Sequence, residues 1–294
     1  MTEGRLIDIG VNLNDPMFQG IYNEKQVHES DLEIVIKRAF DSGVQTMINL
    51  NGSISELQTS LSNFESYNNI YHTAGVHPTR CMELENNESQ ISELTDFVNR
   101  NRKIIAIGEI GLDYDRLHFC DENTQKKWFK TQLTATSSLG LPYIFHMRNA
   151  TADFLSILEQ FSIRESVVHC FTGDINDADT LIKQNLSIGL TGCSLKTIDT
   201  VEAIKIIPID KILIETDSPW CKVRPSFSGY QHIVYKPKEV KPQNNDKKSF
   251  IKCRQEPALV SQIYEAVASI KGVDYNVLVD QVFHNFRKIF KIVK

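Results

Sequence analysis

Eight short apolar runs recur along most of the chain, each suited to one β-strand. They are residues 6–13, 46–50, 70–76, 104–110, 142–147, 166–171, 186–192 and 212–217. Between them lie segments in which apolar residues recur every three or four positions, a pattern that predicts helices burying one face. These segments include residues 29–43, 89–100, 124–140, 150–161, 177–185 and 199–207. The pattern therefore predicts alternating strands and helices.

Continuously apolar strands separated by helices are typical of parallel sheets with covered faces. Eight such units within 294 residues fit an α/β fold of the (β/α)8 TIM-barrel type. An open, doubly wound sheet is the alternative, but neither GxGxxG nor GxxxxGK[ST] occurs in the sequence. Two final amphipathic segments, residues 256–271 and 275–290, are predicted to cover the barrel rather than to form a second domain. We therefore expect one barrel domain over residues 1–294.

Composition narrows the class of protein further. The chain is 41% hydrophobic, enough for a large core, and no window of about 18 uncharged apolar residues suggests a membrane span. Its N-terminal sequence lacks the basic start and apolar run of a secretion signal. Six cysteines are scattered without a CxxC pair, which argues against a zinc ribbon and a disulfide framework. We expect a cytoplasmic or nuclear protein in a reducing compartment, monomeric and without a disulfide-linked partner.

Five of the eight apolar runs end in a residue that can bind a metal ion, namely His77, Glu109, His146, His169 and Asp217. The C-terminal strand ends of a TIM barrel form its active site. Because side chains alternate between the two faces of a strand, the last four of these residues each continue an inward-facing apolar row. The sequence therefore predicts that they converge on the barrel axis.

Two imidazoles and two carboxylates form a nitrogen and oxygen ligand set for a divalent cation. A single histidine at a strand end is more often a hydrogen-bonded structural residue than a ligand. Placing several ionisable groups in one barrel mouth without a metal would cost several kcal/mol of desolvation for each group. Joint placement therefore favours a metal centre, typical of a metal-dependent hydrolase. Glu215, on the same face as Asp217, would either orient a ligand or act as a structural partner.

Several motifs occur in the order and approximate spacing of the TatD family of metal-dependent deoxyribonucleases. They are DIGVNL, GVHP, GEIGLDYDR, FHMR, HCFTG, GLTG, IETDSPW and RQEP. The chain resembles this family over nearly its whole length, and the segment PMFQGIY resembles its eukaryotic branch. The resemblance implies a TIM barrel, a divalent-metal centre and hydrolysis of DNA phosphodiester bonds. It implies metal ligation by Glu109, His146, His169 and Asp217, and a place for His77 near the phosphate.

One departure from the family concerns the first strand. Many relatives have HxH at its end, whereas this chain has Asp8, Gly10 and Asn12 in DIGVN. We therefore expect one or two ions of Mg²⁺, Mn²⁺ or Zn²⁺, the second bound more weakly or arriving with substrate. Glu109 would bridge the ions, and Asp217 would bind metal and accept a proton from water. We assign Asn12 to substrate binding and Asp8 to a supporting position behind the ligands.

A long polar segment follows the last strand, at residues 218–254, on the catalytic face of the predicted barrel. It contains nine lysines or arginines against two acidic residues, together with five aromatic residues, Trp220, Phe227, Tyr230, Tyr235 and Phe250. Such a segment could attract phosphates and stack bases, although a solvated run of charges is the commoner case. Within RQEP, Arg254 is the predicted phosphate contact, and Glu256 would hold it in place.

These observations lead to a hypothesis and two alternatives. The hypothesis is a metal-dependent deoxyribonuclease, a 3′–5′ exonuclease acting on single-stranded or frayed DNA, with a role in DNA repair or DNA degradation. The first alternative keeps the metal and the barrel but hydrolyses a small amide, lactone or phosphotriester. The second is a catalytically silent nucleic-acid-binding protein, against which the complete set of four ligands argues.

Overall fold

The computed structural model describes residues 5–292 and contains one eight-stranded parallel sheet that curves into a barrel. Its strands are β1 (Leu6–Val11), β2 (Val44–Asn49), β3 (Ile70–Ala74), β4 (Ile104–Asp113), β5 (Tyr143–Arg148), β6 (Val167–Val168), β7 (Ser187–Leu190) and β8 (Ile212–Ile214). Each strand lies within or overlaps one of the eight apolar runs. The outermost residues of the predicted domain, 1–4 and 293–294, lie outside the described part of the chain, and a single domain over the whole chain stays a prediction.

Strand order distinguishes the two candidate folds. The strands pair in sequence order from β1 to β8, without the reversal that a doubly wound sheet requires. The sheet is nearly closed where β1 meets the residues after β8. Val11 forms a parallel bridge with Ser218, and the Asp217 amide donates to the carbonyl of Gly10 at 2.8 Å. The predicted (β/α)8 barrel is confirmed.

Ten α-helices occur within residues 5–292. They are α1 (Leu32–Asp41), α2 (Ile54–Asn63), α3 (Met82–Asn86), α4 (Gln90–Arg100), α5 (Glu122–Thr136), α6 (Thr151–Leu158), α7 (Ile175–Lys183), α8 (Ile198–Ile206), α9 (Val260–Lys271) and α10 (Tyr275–Phe290). Their starts follow local chemistry, as at α7, where the Asp174 side chain accepts the Asp177 amide and the Asp177 side chain accepts the Asp174 amide. Each segment that the sequence analysis predicted as a helix contains or overlaps a helix.

The core consists mainly of the strand residues and the helix faces turned towards them. All six residues of β1 and all ten of β4 are buried, as strands covered on both faces must be. The last two helices pack against this barrel as predicted. Within α9, the buried Tyr264 hydroxyl donates to the Ile7 carbonyl and accepts the Ile7 amide, both at 3.1 Å. This pair of bonds fixes α9 against β1.

The polar segment of residues 218–254 is folded onto the barrel rather than extended into solvent. It contains short 3-10 turns at Ser228–His232 and Pro242–Asn244 and a parallel strand pair between Glu239–Val240 and Phe250–Ile251. Several of its side chains are buried, among them Ile233 and Ile251. For residues 5–292, none of the helices combines the length and the apolar character needed to cross a membrane.

Candidate metal centre

A cavity of about 450 Å³ opens at the C-terminal end of the barrel. Residues at or after all eight strand ends line it, including Asn12, Gly52, His77, Glu109, Asp113, His146, His169, Cys193 and Asp217. The five strand-end residues predicted from sequence are therefore in one place. This convergence follows from the barrel itself, because parallel strands present all their C-terminal ends to one face.

Glu109, in the C-terminal half of β4, is surrounded by histidines. Its Oε1 atom lies 2.6 Å from His146 Nδ1 and 2.7 Å from His169 Nε2. Burial alone would raise the pKa of this carboxyl, but the charge of His169 and the hydrogen bonds from the imidazoles hold the pKa well below its ordinary value. Glu109 is therefore an ionised carboxylate in a nearly dry site.

His146 has a second carboxylate partner that the sequence analysis missed. Asp113 Oδ2 lies 3.1 Å from His146 Nε2, while Nδ1 faces Glu109, so each ring nitrogen has a carboxylate as acceptor. Against the effect of burial, these two carboxylates raise the pKa of His146. A carboxylate that accepts from the outer nitrogen of a ligating histidine fixes the tautomer and the ring orientation. The period-two row that identified Glu109 also contains Asp113, four residues further on.

His169 is held in the same way from the opposite side. Glu215 Oε2 lies 3.3 Å from His169 Nδ1, which leaves Nε2 facing Glu109. Burial disfavours the charged ring, yet Glu109 and Glu215 together raise the pKa of His169 well above its ordinary value. This contact is the one that an orienting role for Glu215 requires, and the role stays a prediction.

Glu215 itself fits only because two neighbouring strands carry glycine beside it. A Cβ atom at Gly10 of β1 would overlap Oε2 of Glu215, and a Cβ atom at Gly189 of β7 would overlap Oε1. The carboxylate is completely buried between these two positions. Its place behind His169 therefore depends on residues of three strands.

His77 lies at the edge of the same group but has different partners. Its Nε2 atom is 3.5 Å from Glu109 Oε1, while its Nδ1 accepts the Thr79 amide at 3.2 Å. Burial, together with the nearby His146, lowers the pKa of His77 to about 3. The ring is therefore neutral and carries its hydrogen on Nε2, which faces Glu109 and lies 3.3 Å from His146 Nδ1.

Asp217 lines the cavity from the residues after β8. Its Oδ1 atom accepts from Asn12 Nδ2 at 2.9 Å, so these two predicted site residues are in contact where β1 meets the residues after β8. Burial raises the pKa of Asp217 to about 6, opposed by His169 and reinforced by Glu109 and Glu215. Asp217 is absent from the two groups of converging histidines and carboxylates, which are Glu109 with His146 and His169, and His77 with Asp113 and His146.

The supporting position of Asp8 stays a prediction, and its side chain binds the residue that precedes Asp217. Its carboxylate accepts from the Thr216 amide at 2.9 Å and from the Thr216 hydroxyl at 2.6 Å, and it contacts none of the proposed ligands. Complete burial raises the pKa of Asp8 to about 8. Asp8 therefore joins β1 to the residues after β8, and this contact sets the position of Asn12 beside Asp217.

The prediction for Arg254 as a phosphate contact is wrong. Its side chain is 0% exposed and forms two 2.8 Å bonds to the Asp31 carboxylate and a third to Glu256. Arg38 completes the network with a 2.7 Å bond to the other oxygen of Glu256. Glu256 thus holds Arg254 as expected, but in the protein interior, because buried guanidinium and carboxylate groups must be paired.

Replacing Arg254 by Ala is therefore expected to lower the free energy of unfolding by about 3–5 kcal/mol, since it leaves the buried Asp31 carboxylate without its arginine and Glu256 with Arg38 alone. Urea denaturation followed by circular dichroism measures this loss. Arg224→Ala, an exposed arginine of the same segment, is the matched control and should unfold like the wild type. An Arg254→Ala protein of wild-type stability and weakened DNA binding would restore the phosphate-contact interpretation.

The basic residues at the cavity come from other loops than the one predicted. Three arginines line the opening. Arg80 follows β3, Arg116 follows β4, and Arg148 is the last residue of β5. Among described residues after 221, none lines this cavity, and Trp220 is the one aromatic residue of the 218–254 segment that does. The motifs GLDYDR and FHMR contained the signal for two of these arginines, which sequence reasoning treated only as family markers.

Three cysteines also lie at the opening, against the expectation of scattered thiols. Cys170, Cys193 and Cys221 follow β6, β7 and β8, and all three line the cavity. Cys193 and Cys221 form a disulfide, which the sequence analysis did not predict. Their separation of 28 residues gives no local signal of pairing.

The donor atoms fit a divalent cation. One ligand atom from each of Glu109, His146 and His169 lies within 4.8 Å of the other two, and the outward nitrogens of both histidines are occupied by carboxylates. Mixed imidazole and carboxylate donors suit zinc, manganese and related ions. The raised pKa values of the two histidines mean that metal binding would displace protons from them.

Comparison with known proteins agrees with this arrangement. The family model described as TatD related DNase matches residues 7–291. The chain belongs to this family. A TatD-family relative, the deoxyribonuclease Tat-D of Schizosaccharomyces pombe, is 36% identical over 96% of this chain and 94% of its own length. The family resemblance seen in the sequence is confirmed.

Other members of the TatD-related DNase family extend this comparison to a bacterial sequence and to a solved structure. A protein of Erwinia amylovora named 3′-5′ ssDNA/RNA exonuclease TatD is 30% identical over 97% of this chain and 99% of its own length. The crystal structure of a hydrolase TatD family protein from Entamoeba histolytica covers 99% of both chains at 31% identity with a TM-score of 0.92. The barrel is therefore that of the TatD family.

Proposed function

We propose that this protein is a divalent-metal-dependent deoxyribonuclease that hydrolyses DNA phosphodiester bonds, removing nucleotides from 3′ ends of single-stranded or frayed DNA. The observation on which this rests is one carboxylate oxygen of Glu109 within 2.7 Å of two imidazole nitrogens, in a cavity bordered by three arginines. The names of its relatives support the choice of substrate. The role in DNA degradation or repair and the monomeric state stay predictions.

Each residue of the centre has a distinct proposed task. Glu109, His146 and His169 would hold one or two cations of Mg²⁺, Mn²⁺ or Zn²⁺, and Asp217, which lines the same cavity, would contribute a further carboxylate. When bound, the metal supplies charge that activates a water and stabilises the leaving oxygen. Asp217, with a pKa of about 6 before metal binds, is ionised at neutral pH and is placed to accept a proton.

Substrate binding is assigned to groups at the rim of the cavity. The neutral His77 lines the cavity, and its Nε2 hydrogen, which faces Glu109 and His146, can be donated to a phosphate oxygen instead. Asn12 orients Asp217 through its amide and borders the same space. Trp220 is about half exposed at the rim, where an indole ring can stack on a base. Together these groups suit a strand end whose last phosphodiester lies in the cavity.

Arg116 is the arginine best placed to meet the DNA backbone. Its side chain is 56% exposed and lies 3.8 Å from its nearest carboxylate, Asp113. By contrast, Arg80 is paired with two glutamates at 3.0 and 2.6 Å, and Arg148 with Asp115 at 2.7 Å. A guanidinium with weak carboxylate contacts loses the least interaction energy when it turns to bind a phosphate.

The decisive experiment incubates purified protein with 3′-labelled and 5′-labelled single-stranded DNA, blunt duplex DNA and single-stranded RNA. Each substrate is tested with Mg²⁺, Mn²⁺, Zn²⁺ or a chelator. We expect metal-dependent release of nucleotides from the 3′ end of single strands and none with chelator. A neutral phosphotriester and a lactone are tested in parallel. Turnover of either, without cleavage of any nucleic acid, would replace our proposal by a small-molecule hydrolase.

Replacing Arg116 by Ala is expected to weaken DNA binding and to reduce its dependence on salt. The loss of one phosphate contact should flatten the slope of log affinity against log salt by about 0.7 on single strands. Fluorescence anisotropy with labelled DNA between low and high salt measures the slope. Arg100→Ala on the outer helix α4 is the control and should keep the wild-type slope. An unaltered slope in Arg116→Ala would exclude this contact.

A further inference from the structure

Three sulfur atoms meet beside the proposed catalytic carboxylate. The Sγ atoms of Cys170, Cys193 and Cys221 all lie within 4.8 Å of one another. Cys193 and Cys221 are joined, and Cys170 Sγ is 3.6 Å from Cys221 Sγ. All three side chains are partly exposed to the cavity, so a small reductant or oxidant can reach them.

The disulfide connects the loop after β7 to the turn that contains Asp217. Cys221 Sγ lies 3.4 Å from Asp217 Oδ2, and the Trp220 amide donates to the Asp217 carbonyl at 2.8 Å. Asp217 and Cys221 have φ values of +49° and +52°, in the left-handed region that non-glycine residues seldom adopt. Such a conformation persists when surrounding contacts hold it, and the bond to Cys193 is one of these restraints.

We propose that Cys193 and Cys221 form a redox-active pair that controls how well Asp217 serves the metal centre. In the oxidised form the disulfide holds the turn of residues 217–221 against the loop after β7. A dithiol reductant would supply two electrons and two protons, break the S–S bond, leave two thiols on the protein and itself become a disulfide. The turn would then lose its covalent restraint, and the Asp217 carboxylate would be less fixed.

Two observations favour a switch over a permanent crosslink. A reducing compartment is the expectation from the sequence, and disulfides in such compartments are usually transient and catalytic or redox-sensing. In addition, the Cys170 sulfur can take the place of Cys193, because its attack on Cys221 would form the Cys170–Cys221 bond and break the Cys193–Cys221 bond, while the proton lost by Cys170 is gained by Cys193, without net oxidation. That exchange would move the crosslink next to His169.

The test uses the full chain loaded with Mn²⁺, a cation that binds thiols poorly. Protein equilibrated with oxidised or reduced dithiothreitol is alkylated, and mass spectrometry maps the Cys193–Cys221 and Cys170–Cys221 bonds. We expect full reduction to weaken Mn²⁺ binding and to slow DNA cleavage by roughly tenfold each at limiting metal, as when support behind a ligand is lost. Reoxidation should reverse both effects.

Two variants separate the pair from other thiols. Cys221→Ser removes the sulfur that both mapped bonds share, so it should match the reduced wild type and should not respond to dithiothreitol. Cys253→Ser, which removes an exposed cysteine away from the cavity, should respond like the wild type. If Cys221→Ser fails to fold, the chemically reduced wild type supplies the same comparison. Equal Mn²⁺ affinity of fully oxidised and fully reduced wild type would overturn the proposal.

This inference rests on the proposed place of Asp217 at the metal centre. Mn²⁺ binding and DNA cleavage, measured in both redox states, distinguish failure of the switch from failure of the nuclease proposal. A protein that binds Mn²⁺ in a redox-dependent manner but cleaves no DNA would contradict the nuclease proposal alone. A protein that cleaves DNA at one rate in both redox states, with the bond mapped as broken, would contradict the switch alone.

Discussion

Replacing Glu109 by Gln is expected to remove tight metal binding and to reduce DNA cleavage by roughly 10³-fold, about 4 kcal/mol of transition-state stabilisation. The amide keeps the shape of the side chain but has no charge to oppose a cation. It would also turn a nitrogen or a weaker acceptor towards His146 Nδ1 and His169 Nε2, both within 2.7 Å of Glu109 Oε1. Calorimetric titration with Mn²⁺ and single-turnover kinetics measure the two losses.

The matched control for Glu109→Gln is Glu202→Gln, at a surface position of α8 paired with Lys205. The control should bind metal and cleave DNA as the wild type does. Retention of wild-type Mn²⁺ affinity by Glu109→Gln would show that the cation binds elsewhere, and the histidine cluster would then be a hydrogen-bonded structural network.

Replacing Asp217 by Asn is expected to lower the rate of cleavage by a factor of roughly 10² or more, while DNA affinity is retained, as for loss of a positioned general base. In the wild type, burial raises the pKa of Asp217 to about 6, and a bound cation can only lower it. The rate should therefore fall as the pH is lowered through this value or below it, where the carboxylate gains a proton. Asp217→Asn should lack this acid limb.

Asp199→Asn, an exposed position at the start of α8, serves as the control and should leave the profile unchanged. Initial rates at constant ionic strength would be compared for the three proteins from about two pH units below to about two units above the unperturbed histidine pKa of roughly 6.5, a range that also spans the pKa of about 6 for Asp217. If Asp217→Asn keeps both the rate and the acid limb, Asp217 neither binds metal nor accepts the proton.

The barrel was predictable because its information is local. Each strand is a short apolar run and each helix an amphipathic segment, and both patterns can be recognised within about ten residues. Convergence of His77, Glu109, His146, His169 and Asp217 followed from one rule about parallel strands, without any knowledge of contacts. The metal ligands proposed from sequence thus rest on topology.

The errors and omissions concern burial and long-range pairing. Arg254 was predicted to contact phosphate because its partner Asp31 lies 223 positions away in sequence, where no local pattern indicates the pairing. The Cys193–Cys221 bond and the contact of Asp8 with Thr216 are likewise set by the tertiary fold. Asp113 is a different case, since alternation along β4 already placed it on the face of Glu109. The predicted strand ended at residue 110, so Asp113 was not included among the strand-end residues.

The enclosure of Glu215 by Gly10 and Gly189 limits the order in which this part of the barrel could change during evolution. A side chain cannot grow at either glycine while Glu215 occupies the space, because the new Cβ would displace the carboxylate that holds His169. A smaller residue at position 215 has to come first, and only then does an alanine at position 10 or 189 find room. Substitutions at these three positions are therefore epistatic, and a lineage can repack this wall only through an intermediate in which His169 has lost its support.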